Sequence, residues 1–219
     1  MSAQALELRH IAKRFGPRTI LDAGPVRFEP GQLHLVEGDN GAGKSTLLKC
    51  LGGLATADRI DLCYGAIPYT GGAYPHSLRR AIVYVHQHPY LLSAGVIANI
   101  EYGLRCRGVD ALARQQRVRH AVEWAGLEAS IKTVPRKLSG GEKQRLALAR
   151  AAALDTPALL VDEPTANLDR AAREQVHHLL DSLVAKGTLV IVATHDPSLH
   201  ERSGARRWVL AEGSLSPLG

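Results

Sequence analysis

The sequence predicts an α/β fold on a mostly parallel sheet, with a small N-terminal antiparallel β subdomain and an inserted α-helical subdomain. Three observations carry that prediction. The short apolar runs "LHLVEG", "PALLVDEP" and "TLVIVATH" read as buried strands. A glycine-rich loop, "GDNGAGKST" (38–46), separates the first of them from a helical run. Strand character then largely disappears from Pro89 to Val134.

Residues 1 to 30 carry short alternating runs such as "LELRH", broken at Gly16-Pro17, Gly24-Pro25 and Pro30-Gly31, which predicts the antiparallel sheet. "KSTLLKCLGGL" predicts a helix stopped by Gly52 and Gly53. "AIVYVHQ" (81–87) is a further strand. Asp110 is placed to cap a helix whose face is Leu112, Val118, Ala121, Val122 and Ala125, ended by Gly126. Between the last two core strands, Val176, Leu179, Leu180 and Leu183 recur at helical spacing. "RRWVLAEGSL" predicts a hairpin turning at Glu212-Gly213. The expected organisation is a single domain over 1–219, with a core at 1–86 and 138–219 and the helical subdomain at 87–137.

The chain has 219 residues, 45% of them hydrophobic and 22% charged, which suits a folded globular protein. Its apolar runs fall far short of the roughly 20 residues that span a bilayer. The start, "MSAQALELRH", has no basic segment followed by an apolar one, so no secretory signal is expected. Cys50, Cys63 and Cys106 have no metal-ligand spacing and suit a reducing compartment, so the expected location is the cytoplasm. The net charge of +6 is spread along the chain, with one modest cluster at Arg114, Arg117 and Arg119 that reads as a solvated helix face, so no nucleic-acid partner is expected.

Gly38, Gly43, Lys44 and Ser45 fill the pattern G-x-x-x-x-G-K-[ST] of a phosphate-binding loop. Glycines let successive backbone N–H groups turn inward, here across Asn40, Gly41, Ala42 and Thr46, and the following helix adds its positive end. Lys44 is placed for the β- and γ-phosphates, and the Ser45 hydroxyl for Mg²⁺. "LLVDEP" delivers two acids at a strand end: Asp162 to hold Mg²⁺ and Glu163 to polarise a water molecule.

With "LSGGEKQR" (138–145) the set becomes specific, because that stretch resembles the signature of the ATP-binding-cassette (ABC) ATPases. The likeness extends along nearly the whole chain and implies ATP and Mg²⁺ as cofactors. It implies that Phe15, 29 positions before Lys44, stacks on adenine. Gln87 resembles the glutamine that touches Mg²⁺ and the attacking water. "ANLD", ending at Asp169, resembles the D-loop, and His195 the histidine that contacts the γ-phosphate. The resemblance further implies that Ser139, Gly140 and Gly141 serve the nucleotide of a second ATPase subunit, so that two chains sandwich two ATP molecules. A serine hydroxyl, bare amides and a helix N-terminus suit that anion on physical grounds.

ABC ATPases of this kind drive integral membrane permeases, which implies a peripheral position on the inner face of the membrane. "HQHPYLLSAGVIANIEYGLRCRG" (86–108) is similar to the corresponding stretch of tungstate-type oxyanion importers in "PYLL", "V-x-x-N" and "YGLRCRG". An importer would also work with a substrate-binding protein. Three other readings stay open: an exporter or lipoprotein-release ATPase, a soluble ABC ATPase of DNA repair or translation, and a nucleotide-binding regulator without turnover.

Overall fold

The computed structural model describes residues 3–200 and 204–218. It divides into two compact units: residues 1–84, 156–163 and 183–219 form the first, and 85–155 with 164–182 the second.

The first unit holds two sheets. In the antiparallel one, β1 (Leu6–Phe15) pairs with β2 (Arg18–Ala23), β3 (Val26–Phe28) and β5 (Arg59–Tyr64), and β5 pairs with β6 (Ile67–Tyr69). The alternation read in "LELRH" is real: Leu6 and Leu8 are buried while their neighbours are less so, as a sheet with one wet face requires. The predominantly parallel sheet also contains β4 (Leu33–Glu37), β7 (Ile82–Val85), β8 (Ala158–Asp162), β9 (Leu189–Ala193), β10 (Arg206–Ala211) and β11 (Ser214–Leu218), in the order β11-β10-β4-β9-β8-β7. Strands β10, β4, β9 and β8 run parallel, and β8 and β9 are buried along their whole length, which is why their sequences are unbroken apolar runs. The β10–β11 hairpin turns through Glu212 and Gly213, both at positive φ, the twist a two-residue hairpin loop demands.

Helix α1 (Lys44–Leu51) follows β4 and ends at Gly52, with Gly53 at φ +68°. A short helix, α2 (His76–Ala81), leads into β7.

The second unit is helical. Its core joins Val96, Ile100 and Leu104 of α3 (Val96–Cys106), Val118 and Val122 of α4 (Ala111–Trp124), and Leu146 and Ala149 of α5 (Gly140–Ala153), among others. The Asp110 carboxylate accepts the Ala113 N–H at 3.0 Å as the α4 cap, and Gly126 follows at φ +60°. One expected face residue departs: Leu112 is 67% exposed. It stands six positions before Val118, which at 100° per residue puts it well off the buried stripe. Helix α6 (Arg170–Ala185) buries Val176, Leu179, Leu180 and Leu183 as their spacing predicts.

A candidate nucleotide and metal site at the strand ends

The parallel register determines where the chemistry gathers. Val36 of β4 pairs with Ala193 of β9, and Ala193 with Asp162 of β8, so the three strands end in one row. The residues just past that row are Gly38, Glu163 and His195. A parallel sheet presents its ligand-binding loops along such an edge.

In the glycine loop, Gly38 sits at φ +147° and a Cβ there would lie 2.3 Å from the Leu210 carbonyl oxygen; Gly43 sits at φ +108°, with Ile20 Cγ2 at 2.8 Å from its missing Cβ. No side chain fits at either place. Gly43 is also the N-cap of α1, and no side chain caps that helix. The first-turn N–H groups, which have no intrahelical partner, are therefore left for an anion. Asn40 and Gly41 are exposed, and Ala42, Ser45 and Thr46 half-buried, along the same rim. The buried Lys44 ammonium donates to the carbonyls of Gly38 (2.7 Å) and Asp39 (3.2 Å), and lies 4.0 Å from Glu163 Oε1. A buried ammonium needs such partners.

Asp162 carries two hydroxyl donors: Ser45 Oγ to Oδ1 at 2.9 Å and Tyr84 Oη to Oδ2 at 2.7 Å. Ser45 and Asp162 form a hard-oxygen pair of the kind Mg²⁺ takes. Among the described residues no group of three or more His, Cys, Asp or Glu side chains is placed to cage a metal. Two protein oxygens beside a phosphate site fit Mg²⁺, which keeps waters and shares the nucleotide's phosphates. Glu163 is buried at φ +44°, a conformation non-glycine residues rarely hold, and its N–H donates to the Ala193 carbonyl at 2.8 Å. His195 Nδ1 stands 2.8 Å from Glu163 Oε2, with the imidazole largely exposed. The turn beyond it is held by the Asp196 N–H on Thr194 Oγ1 (2.9 Å) and the Ser198 N–H on Asp196 (3.0 Å).

Phe15, at the end of β1, is 59% exposed, with Lys13 Nζ 5.2 Å from its ring centre. An exposed ring of this sort offers a stacking face.

The structure thus gathers Lys44, Ser45, Asp162, Glu163 and His195. Gln87, Ser139, Gly140, Gly141 and Asp169 belong to the second unit. Gln87 is half-buried after β7. Ser139 caps α5 in a reciprocal box: its Oγ accepts the Glu142 N–H (3.2 Å) while Glu142 accepts the Ser139 N–H (2.8 Å). Asp169 caps α6 by accepting the Ala172 N–H at 2.8 Å. Two features escaped sequence reasoning. Tyr84 signalled itself only as a phenol within an aliphatic strand. Arg207, which grips Glu37 through both carboxylate oxygens at 2.6 and 2.9 Å just before the glycine loop, has no local motif at all.

The ABC transporter family profile matches residues 22–166. The chain is 36% identical over 192 residues to the tungstate uptake system ATP-binding protein TupC of Peptoclostridium acidaminophilum, covering 87% of this chain and 86% of TupC. It is 37% identical over 193 residues to the lipoprotein-releasing system ATP-binding protein LolD of Chromohalobacter salexigens, covering 85% and 81%. The dimeric post-hydrolysis structure of the ATP-binding cassette MJ0796 bound to ADP and Pi superimposes with a TM-score of 0.85 at 28% identity, over 98% of this chain and 99% of that one. With this fold, these strand-end residues and these relatives, the chain is an ATPase that uses ATP with Mg²⁺, and it belongs to the ABC transporter family.

Proposed function

We propose that this chain closes as a homodimer around two ATP molecules and so drives a membrane permease from the cytoplasmic face, importing an oxyanion such as tungstate. The observation that supports its motor role most directly is the convergence of Lys44, Glu163 and His195 beside the Ser45–Asp162 pair.

Lys44 pairs with the β- and γ-phosphates, while the amides from Gly38 through Gly43 and on to Thr46 cradle them; Asn40, Gly41 and Ala42 lie in that stretch. Ser45 and Asp162 would hold Mg²⁺, and Gln87 is the glutamine that the family resemblance assigns to the same ion. When bound, the ion neutralises charge on the phosphate oxygens. Glu163 accepts a proton from the attacking water, and His195 orients its carboxylate and reaches toward the γ-phosphate. Phe15 stacks on adenine. Ser139 suits a contact to the other subunit's nucleotide because it stands exposed at the N-terminus of α5, where a hydroxyl and the first-turn amides favour an anion. Gly140 and Gly141 offer bare amides beside it, and Asp169 lines the same boundary. Loss of the γ-phosphate removes what held the halves together.

The division we assign to permease contact is 87–137. Ile97, Ala111, Val118, Val122 and Ile131 line a groove there of about 420 Å³, apolar with a mixed-charge rim that includes Glu101 and Arg119, which suits a short amphipathic permease segment. No helix among the described residues is long and apolar enough to cross a membrane, and we assign membrane attachment to the permease. The oxyanion assignment draws on the likeness to TupC. The "V-x-x-N" match adds little, since buried Asn99 staples the loop before α3 through Leu92, Ala94 and Gly95, which is a structural task. A substrate-binding protein would complete an importer, and no nucleic acid is contacted. The lipoprotein-releasing relative supports a second reading, an exporter or release ATPase. Capture of the membrane partner from its host, followed by ATPase assays with tungstate, molybdate and lipoprotein, separates the two; retrieval of ribosomes or DNA would overturn both.

A further inference from the structure

The rotation of Asp162 has to be set by something other than rotamer preference. A carboxylate's terminal torsion is broad and roughly two-fold, so a lone aspartate presents either oxygen over a wide arc. Here two O–H donors hold it from opposite sides, Ser45 on Oδ1 and Tyr84 on Oδ2. The two donors are not equivalent. Ser45 comes from α1 and belongs to the phosphate loop, where its oxygen also has to face the cation. Tyr84 comes from the neighbouring strand β7, and its ring packs partly buried against the core, with its Cβ 3.6 Å from where a Gly52 side chain would begin.

We propose that Tyr84 is a positioning residue for the divalent cation: its hydroxyl locks Oδ2 of Asp162 and thereby presents Oδ1, beside Ser45, to the metal. The carboxylate has lone pairs enough to accept both hydroxyls and still serve the cation. Partners of this outer kind typically change metal affinity by 10- to 100-fold. The inference concerns metal loading and is independent of which permease the dimer drives.

The test is Tyr84→Phe, which keeps the ring and removes only the hydroxyl. Mn²⁺ binding is followed by electron paramagnetic resonance on the full chain with ADP present, without turnover. The expected result is Mn²⁺ binding weaker by about 10-fold, with metal-free ADP binding unchanged. The same substitution is then placed on an Asp162→Ala background, where the hydroxyl has no carboxylate to hold and no further loss is expected. Wild-type Mn²⁺ affinity in Tyr84→Phe overturns the proposal, and so does an equal loss in both backgrounds, which would mean a general packing defect. If Tyr84→Phe lowers thermal stability, the two-background comparison at a temperature where all four proteins are folded still decides it.

Discussion

Lys44 is buried, yet its charge is met by two loop carbonyls and by a carboxylate 4.0 Å away. Such a cation is costly to bury unless its ligand repays it, which makes its removal a direct probe of the phosphate site. Lys44→Ala should lose turnover on the order of 100-fold or more, the scale of deleting one electrostatic donor from a reaction centre. Titration with a fluorescent ATP analogue and a phosphate-release assay check it; comparable turnover would remove Lys44 from its proposed role. Two leucine-class positions give the opposite contrast. Leu112 is exposed and Val118 buried, so Leu112→Ser should change stability by less than about 0.5 kcal/mol, as surface changes do. Val118→Ala should cost roughly 1 to 3 kcal/mol for lost burial and the cavity left, read by denaturant unfolding.

The Asp110 cap was legible because caps are local chemistry, and Ser139 and Asp169, read only as signature and D-loop residues, do the same work. Asp110, Ser139 and Asp169 each stand one residue before their helix and accept an N–H three residues on. Strands β8 and β9 were equally plain as buried runs. What went unread was non-local or short: α2 has six residues, too few for a helical period to show, and the arginine grip on Glu37 joins positions 170 residues apart. Leu112 matched the apolar composition of α4 but not its angular stripe. At the α5 terminus the Glu142 carboxyl is held below its ordinary value of 4.5, first by the Ser130 hydroxyl and then by the Ser139 N–H. The folded-state pKa is depressed, so this contribution to stability is present above pH 4.5 and fades as pH falls through the lower, folded value. Glu142→Gln should therefore be less stable than wild type at pH 7, with the gap closing below pH 4.5 in thermal unfolding scans. At the preceding residue, a Cβ on Gly141 would come 2.7 Å from Ala172 Cβ, so Gly141→Ala should force α5 from α6 and cost about 1 to 3 kcal/mol.

At the scale of the whole molecule, the residues that gather around Lys44 and those of the signature stretch fall in different compact units, and Ser139 is an exposed cap. On the proposed arrangement, a second chain would supply its own Ser139, Gly140 and Gly141 to the γ-phosphate, so that closure depends on unhydrolysed ATP. The dimeric ADP- and Pi-bound cassette, to which this fold is similar along its length, supports a dimer of ATPase subunits. Glu163→Gln tests it. The amide keeps the shape of the side chain and removes its basicity, so nucleotide still binds while the attacking water loses its proton acceptor; loss of a general base costs about 10²- to 10⁴-fold in rate. The variant should accumulate as a closed dimer in ATP with Mg²⁺ and revert to monomer in ADP, read by analytical ultracentrifugation. A protein that binds ATP yet sediments as a monomer at every ATP concentration would show that each chain carries a complete reaction centre, and the coupling proposed between hydrolysis and permease motion would lose its physical basis.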